Sequence, residues 1–212
     1  MDRLTKPVHL DVDVPKLKGI DTGGGGWPLQ ANRQEEWAWI DNVFTRPEIK
    51  AIIAIGEANG LDTAWTSGTQ STKVRDSVVQ FLYPNDTTNW IFAKLSGVVN
   101  EMNACYWGFD LSGFDQGLQF TRYEAPGQHY DWHCDSGMTT GRRKLSLTVQ
   151  LSDPDDYEGG DLELRWGKDP MQAKRGLSMM TVFPSWTLHR VTPVTKGTRY
   201  SLVAWISGPP FK

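Results

Sequence analysis

Cysteine and histidine are scarce in this 212-residue chain, which has two of the first and four of the second. Cys105 and Cys134 cannot build a disulfide framework. A reducing, cytoplasmic setting therefore fits, and Cys134 reads as an ordinary strand residue facing away from its polar neighbours. No apolar run approaches the length that crosses a bilayer, and Met1-Asp2-Arg3-Leu4-Thr5 lacks the apolar stretch of a secretory leader. Neither membrane insertion nor export is expected. Excess positive charge is missing too. Lys and Arg number 22 against 25 Asp and Glu, so the electrostatic footprint of a nucleic-acid binder is absent, and Arg142-Arg143-Lys144 reads as rim charge.

Tryptophan is plentiful: ten residues, read as core and pocket walls. Residues 1–33 hold Pro7, Pro15, Pro28 and the run Gly23-Gly24-Gly25-Gly26, a composition that predicts an extended, flexible arm. Residues 34–212 then form a single domain. The spacing predicts a helix over 45–59, capped by Thr45, with Pro47 and Glu48 in its first turn and Ile49, Ile52, Ile53 and Gly56 on its buried stripe. A second helix is predicted over 89–105. From residue 118 the pattern shortens to strands at 118–123, 130–134, 145–151, 161–166, 178–183, 187–191 and 198–206, punctuated by Gly and Pro turns. The fold class expected is α+β, mainly β: a double-stranded β-helix (jelly roll) over about 118–207, backed by N-terminal helices.

Chemistry concentrates in four residues. His133 and Asp135 are two apart, and strand residues at that spacing share a face with Cα atoms roughly 6–7 Å apart. Alone, the couple also reads as a hydrogen-bonded His–Asp pair. His189, in a strand after Pro184, turns it into the ligand set of a 2-His-1-carboxylate triad, which holds Fe(II) and leaves open corners. Pro193 to Gly197 reads as a hairpin loop, so strand 198–206 is expected to run antiparallel beside the His189 strand. Arg199, Ser201, Val203 and Trp205 then share one face, and a guanidinium among apolar neighbours calls for a carboxylate. His129 could pair with His133 as a helical zinc motif, but Pro126-Gly127 argues against a helix, leaving a surface histidine. No general base suits a zinc hydrolase, and no Ser–His–Asp or Cys–His arrangement is present.

These residues resemble those of the Fe(II)/2-oxoglutarate dioxygenases of the prolyl 4-hydroxylase branch, the PKHD-type hydroxylases in particular. Tyr123, Gly127, Tyr130, Trp132, His133 and Asp135 fall as in the family's Y-x-x-G-x-x-Y-x-W-H-x-D, with one extra residue between Tyr123 and Gly127. Tyr157-Glu158-Gly159-Gly160-Asp161-Leu162 is similar to its Y-x-G-G-x-L turn, and the run from Pro184 through Arg199 follows in order. The resemblance implies His133, Asp135 and His189 as iron ligands and Arg199 as partner of the C5 carboxylate of 2-oxoglutarate. It implies Tyr123 and Trp205 in the pocket, with Ser201, Thr148 and Gln150 as further polar contacts and Tyr130, Arg143 and Arg165 towards substrate. It implies Fe(II), 2-oxoglutarate and O2, with ascorbate a candidate reductant, and hydroxylation of a C–H bond, a peptidyl proline first, with succinate and CO2 released. The expected partner is a peptide or protein, with free small molecules as the alternative. A loop over 67–76 is a candidate cover for the substrate. The rival from another class is a cupin-like metal-dependent sugar or small-molecule binder, which has no use for the Arg199–Ser201 clamp.

Overall fold

The computed structural model describes residues 4–5, 34–58, 60–63, 73–137 and 140–210. The expected arm, apart from the strand Leu4–Thr5, and residues 67–72 of the expected covering loop lie outside the described residues.

The main elements are β1 (Ala38–Ile40), α1 (Arg46–Ala58), β2 (Arg75–Asp76), β3 (Val78–Leu82), α2 (Asn89–Tyr106), β4 (Leu118–Glu124) and β5 (His129–His133). They continue with β6 (Arg143–Gln150), β7 (Tyr157–Gly159), β8 (Leu162–Arg165), β9 (Met180–Pro184), β10 (Leu188–Val191) and β11 (Val194–Ser207). The larger sheet runs β1-β9-β6-β11-β4-β3, with Leu4–Thr5 beyond β1, Asp62–Thr63 beyond β3, and β7 and Gly113–Phe114 added to β11. The smaller sheet runs β8-β10-β5-β2, with Met171–Gln172 beyond β8. All these pairings are antiparallel, and the mainly β jelly roll with supporting helices is as expected.

The two helices form as the sequence indicates. Thr45 Oγ1 accepts from the Glu48 N–H at 3.4 Å, while Glu48 Oε2 accepts from the Thr45 N–H at 2.6 Å. This reciprocal cap satisfies two otherwise unpaired helix-end donors. Lys94 Nζ on α2 reaches both Glu48 oxygens at 2.8 Å, tying the helices together. Ile49, Ile52, Ile91, Leu95, Val99 and Met102 are buried in the core between the helices and the larger sheet.

That sheet is two-faced. On β6, Leu145, Leu147 and Val149 belong to the helix-side core, and on β11 Leu202, Ala204 and Ile206 do the same. Ser146, Thr148, Arg199, Ser201, Val203 and Trp205 alternate with them and line a cavity between the sheets. Polar residues therefore point inward and apolar ones outward, because the helices shield the outer face.

Two expectations need correction. Strand β11 does not lie beside the His189 strand. β10 belongs to the smaller sheet and β11 to the larger. Thr192 and Pro193 carry the chain across, and Pro193 has no N–H for a ladder. Arg199 thus faces the His189 strand across the cavity. The strand expected at 178–183 begins at Met180, since Ser178 is left-handed at φ 64°; its hydroxyl accepts from the Phe44 N–H.

Gly56 on α1 meets the larger sheet where no side chain fits. A Cβ there would lie 2.4 Å from the Phe120 ring. Gly56→Ala gains about 1 kcal/mol of helix propensity, but overpacking costs about 1–3 kcal/mol. We expect a net loss of stability, read as a lower denaturant midpoint with an unchanged slope.

Candidate metal centre and carboxylate clamp

His133 and His189 are register partners on β5 and β10. Their rings stand 4.1 Å apart, centroid to centroid, at 52°. Asp135 Oδ1 lies 3.7 Å from His133 Nε2, and Oδ2 lies 3.5 Å from His189 Nε2. One ligand atom from each of the three falls within 4.8 Å of the others. The convergence does not come from strand alternation alone: β5 stops at His133. Asp135 is aimed by its N–H, which donates to Ser185 O at 2.9 Å, as does that of Ser136. Cys134 accordingly lies past the strand, exposed, with its thiol donating to Trp186 O at 3.3 Å.

The tautomers suit a metal. His133 Nδ1 is 2.7 Å from Asp131 O and His189 Nδ1 is 2.9 Å from Thr187 O. A carbonyl only accepts, so each Nδ1 carries the proton and each Nε2 offers a lone pair to the cluster. Ser146 Oγ donates to Asp135 Oδ2 at 2.7 Å and stands 3.0 Å from Ser185 Oγ. Burial raises the Asp135 pKa, but His189, His133 and the Ser146 hydrogen bond outweigh it, and the net shift is downward. Burial, then the neighbouring His189, pushes His133 down to about 3. The set is therefore an anionic carboxylate with a neutral imidazole beside it, the donor chemistry a divalent cation needs.

Across the cavity, which holds about 540 Å³, Arg199 is 1% exposed. Among the described residues its Nε and Nη2 have no hydrogen-bond partner, and Nη1 makes only a 3.4 Å contact with Ser201 Oγ. Its Cζ lies 5.4 Å from the Tyr123 ring centre. A buried guanidinium so poorly paired fits a carboxylate ligand. Gly160, left-handed at φ 63°, makes room for it: a Cβ there would lie 2.9 Å from Arg199 Cδ. Arg175 steadies this turn, with Nη2 donating to Tyr157 O at 3.1 Å and Gly159 O at 3.2 Å.

Residues 118–207 match the 2OG-Fe(II) oxygenase superfamily. A PKHD-type hydroxylase of Prochlorococcus marinus (strain MIT 9303) is 30% identical over 166 residues, covering 76% of this chain and 72% of that protein. The chain belongs to the 2OG-Fe(II) oxygenase superfamily. Its members use Fe(II) and 2-oxoglutarate, and the chain is an oxidoreductase of that type, whose His133, Asp135 and His189 fit iron. A PKHD-type hydroxylase of Gloeothece citriformis is 45% identical over 92 residues, but the match spans 42% of this chain and 41% of that relative. Two solved structures share the fold. A Pseudomonas putida prolyl-4-hydroxylase has a TM-score of 0.67 at 20% identity, covering 82% of this chain and 93% of that one. A Trichoplax adhaerens prolyl hydroxylase, solved with a hypoxia inducible factor peptide fragment, scores 0.70 at 13% identity, covering 82% and 84%.

Within this oxygenase cavity the structure places Tyr123, Tyr130, Arg143, Thr148, Ser201 and Trp205 on the lining. Tyr130 arrives there through a β-bulge. The register slips between His189↔His133 and Val191↔Tyr130, so Tyr130 shares the His133 face and stacks on its ring at 3.5 Å. Gln150 is buried on the same side of β6 but lies outside the cavity lining. Arg165 is a correction. On β8, Leu162 and Leu164 are the buried residues, so Arg165 is on the opposite, exposed face, with Nε donating to Gly167 O and its guanidinium 5.8 Å from the Trp132 ring centre. His129 stays outside the metal set, between Gly127 O and Lys73 O.

Sequence reasoning missed Arg75 on the lining and the anchor of Arg143. Arg143 Nε pairs with Asp115 Oδ2 at 2.7 Å, its Cζ sits 4.3 Å from the Trp205 ring centre, and Nη1 reaches Asp135 O at 3.4 Å. Only the turn-like Ser112–Gly117 composition hinted that Asp115 could fold back.

The depressed His133 pKa has a consequence for the metal-free protein. The unfolded chain takes up a proton near pH 6.5 that folded His133 refuses until about pH 3. Stability should therefore fall as pH drops through that window. Ring NMR should show His133 neutral and Nδ1-protonated at pH 5; a titration near 6.5 would contradict the burial argument.

Proposed function

We propose that this oxygenase hydroxylates a peptidyl proline, releasing succinate and CO2 from 2-oxoglutarate. The observation that carries the co-substrate assignment is Arg199: a buried, poorly paired guanidinium facing the metal cluster across the cavity. His133 Nε2, Asp135 and His189 Nε2 would hold Fe(II). Arg199 would take the far carboxylate of 2-oxoglutarate, with Ser201 donating beside it and Tyr123 walling the tail. The bound metal and co-substrate supply the oxidising chemistry, in which O2 is consumed and a C–H bond becomes C–OH.

The chain's own residues position and shield. Burial pushes the Tyr130 hydroxyl up to about 12, so it remains a neutral donor at physiological pH. Trp205, Thr148 and Val203 wall the co-substrate, and the Asp115–Arg143 pair holds the Trp205 face. The proline reading draws support from the kinds of relative found: a PKHD-type hydroxylase and structures of prolyl hydroxylases, one with a peptide. We read residues 34–212 as one catalytic unit, since β1 and β11 belong to one sheet. We place it in the cytoplasm, as its cysteines are free; no helix among the described residues is long and apolar enough to cross a membrane.

Asp135→Ala should abolish divalent-metal binding, followed by Co(II) absorbance, and succinate formation with it. Arg199→Ala should keep the metal and raise the 2-oxoglutarate KM about tenfold or more, the worth of a lost charged hydrogen bond; an unchanged KM would reassign the clamp. In a panel of peptides and metabolites, a proline peptide should gain one oxygen in step with succinate. Turnover confined to free small molecules would replace the substrate assignment, and binding without turnover would favour the cupin-like alternative.

A further inference from the structure

Among the described residues, the charged groups lining the cavity are three arginines, Arg75, Arg143 and Arg199, and one carboxylate, Asp135, beside the two histidines. Arg143 is neutralised by Asp115. Arg199 is matched to the co-substrate and Asp135 to the metal on the reading above. Arg75 is left over.

Arg75 is 9% exposed. Nε donates to the Ser77 hydroxyl at 3.1 Å, and Cζ lies 4.5 Å from the centre of the Tyr130 ring. Nη2 is buried with no hydrogen-bond partner among the described residues. A buried cation held only by one neutral hydroxyl and a ring face is costly unless an anion completes it. Its place is set by pairing: Arg75 is the β2 register partner of Tyr130, and Tyr130 stacks on His133 at 15°. One aromatic ring therefore separates the guanidinium from a metal ligand. Arg75, Phe81 and Gln119 also line a second recess, which leads away from the cavity past Gln80 and Tyr83. Asp62 lines that recess but makes no hydrogen bond to Nη2.

We infer that Arg75 is a specificity residue that binds a carboxylate of the substrate, on or next to the residue that reacts. The same chemistry has two sources, the side chain of an Asp or Glu flanking the target proline or the free α-carboxylate of a chain-terminal one. The inference rests on the proposed hydroxylase reading for what fills the rest of the cavity, but not for the anion site itself.

The test is binding by calorimetry to the full-length protein with Mn(II) and 2-oxoglutarate, without turnover. The probes are acetyl-Ala-Glu-Pro-Glu-Ala-amide, its Gln-Pro-Gln counterpart, and acetyl-Ala-Ala-Pro as free acid and as amide. The wild type should favour one acid over its neutral counterpart by about tenfold or more, and which acid wins identifies the source. Arg75→Gln should erase the preference, and Arg75→Lys should keep part of it. Equal affinity for acid and neutral forms in the wild type, or a preference surviving in Arg75→Gln, overturns the inference. Should Arg75→Gln fail to fold, the wild-type ratio and its decline with salt decide the matter. An acid preference without any succinate formation leaves the anion site standing and removes the hydroxylase reading; hydroxylation of neutral and acidic peptides alike does the reverse.

Discussion

The structure turns on one desolvated carboxylate. Asp135 is almost sealed from water, and an anion there is tolerable only with compensation on every side. The Ser146 hydroxyl donates to it, the Ser185 carbonyl fixes its main chain, and the two imidazole nitrogens face it with lone pairs, so the rest of that compensation would come from a bound divalent cation. These groups come from both sheets and the turn after β9. Holding Asp135 therefore also holds the sheets in register, and the site is a fastening as well as a reaction centre.

Around this point the usual distribution of polarity is reversed. Larger-sheet strands keep apolar residues against the helices and send hydroxyls and guanidinium groups inward. The inward groups are not left to chance. Arg143 is held by Asp115, His133 and His189 by carbonyls, and the Gly159–Gly160 turn by Arg175. Preorganisation of this kind keeps reacting groups in place without rearrangement when ligands enter.

Much of this was legible in the sequence wherever a local rule applied. Alternation put Arg199, Ser201, Val203 and Trp205 on one face because β11 is long and regular, and the cap at Thr45 and Glu48 is a local matter. What escaped was set by distant contacts. Alternation puts Tyr130 opposite His133, and only the bulge turns it back. Arg165, expected towards substrate, lies on the face of β8 opposite the buried Leu162 and Leu164. The crossing at Pro193 sets β11 between β6 and β4 of the larger sheet, a pairing fixed by segments distant in sequence. Arg75 and Asp115 come near the cavity through folding alone, and no spacing announces them.

Gly160 never touches the metal ligands, yet its missing methyl sets how far the Arg199 stem can retreat. On the proposed reading, the gap between the metal and that guanidinium is a ruler for dicarboxylic acids, and its zero mark is cut by the turn between β7 and β8. Selectivity for a five-carbon diacid over shorter or longer homologues would then reside in backbone steric fit rather than in any group that contacts the acid.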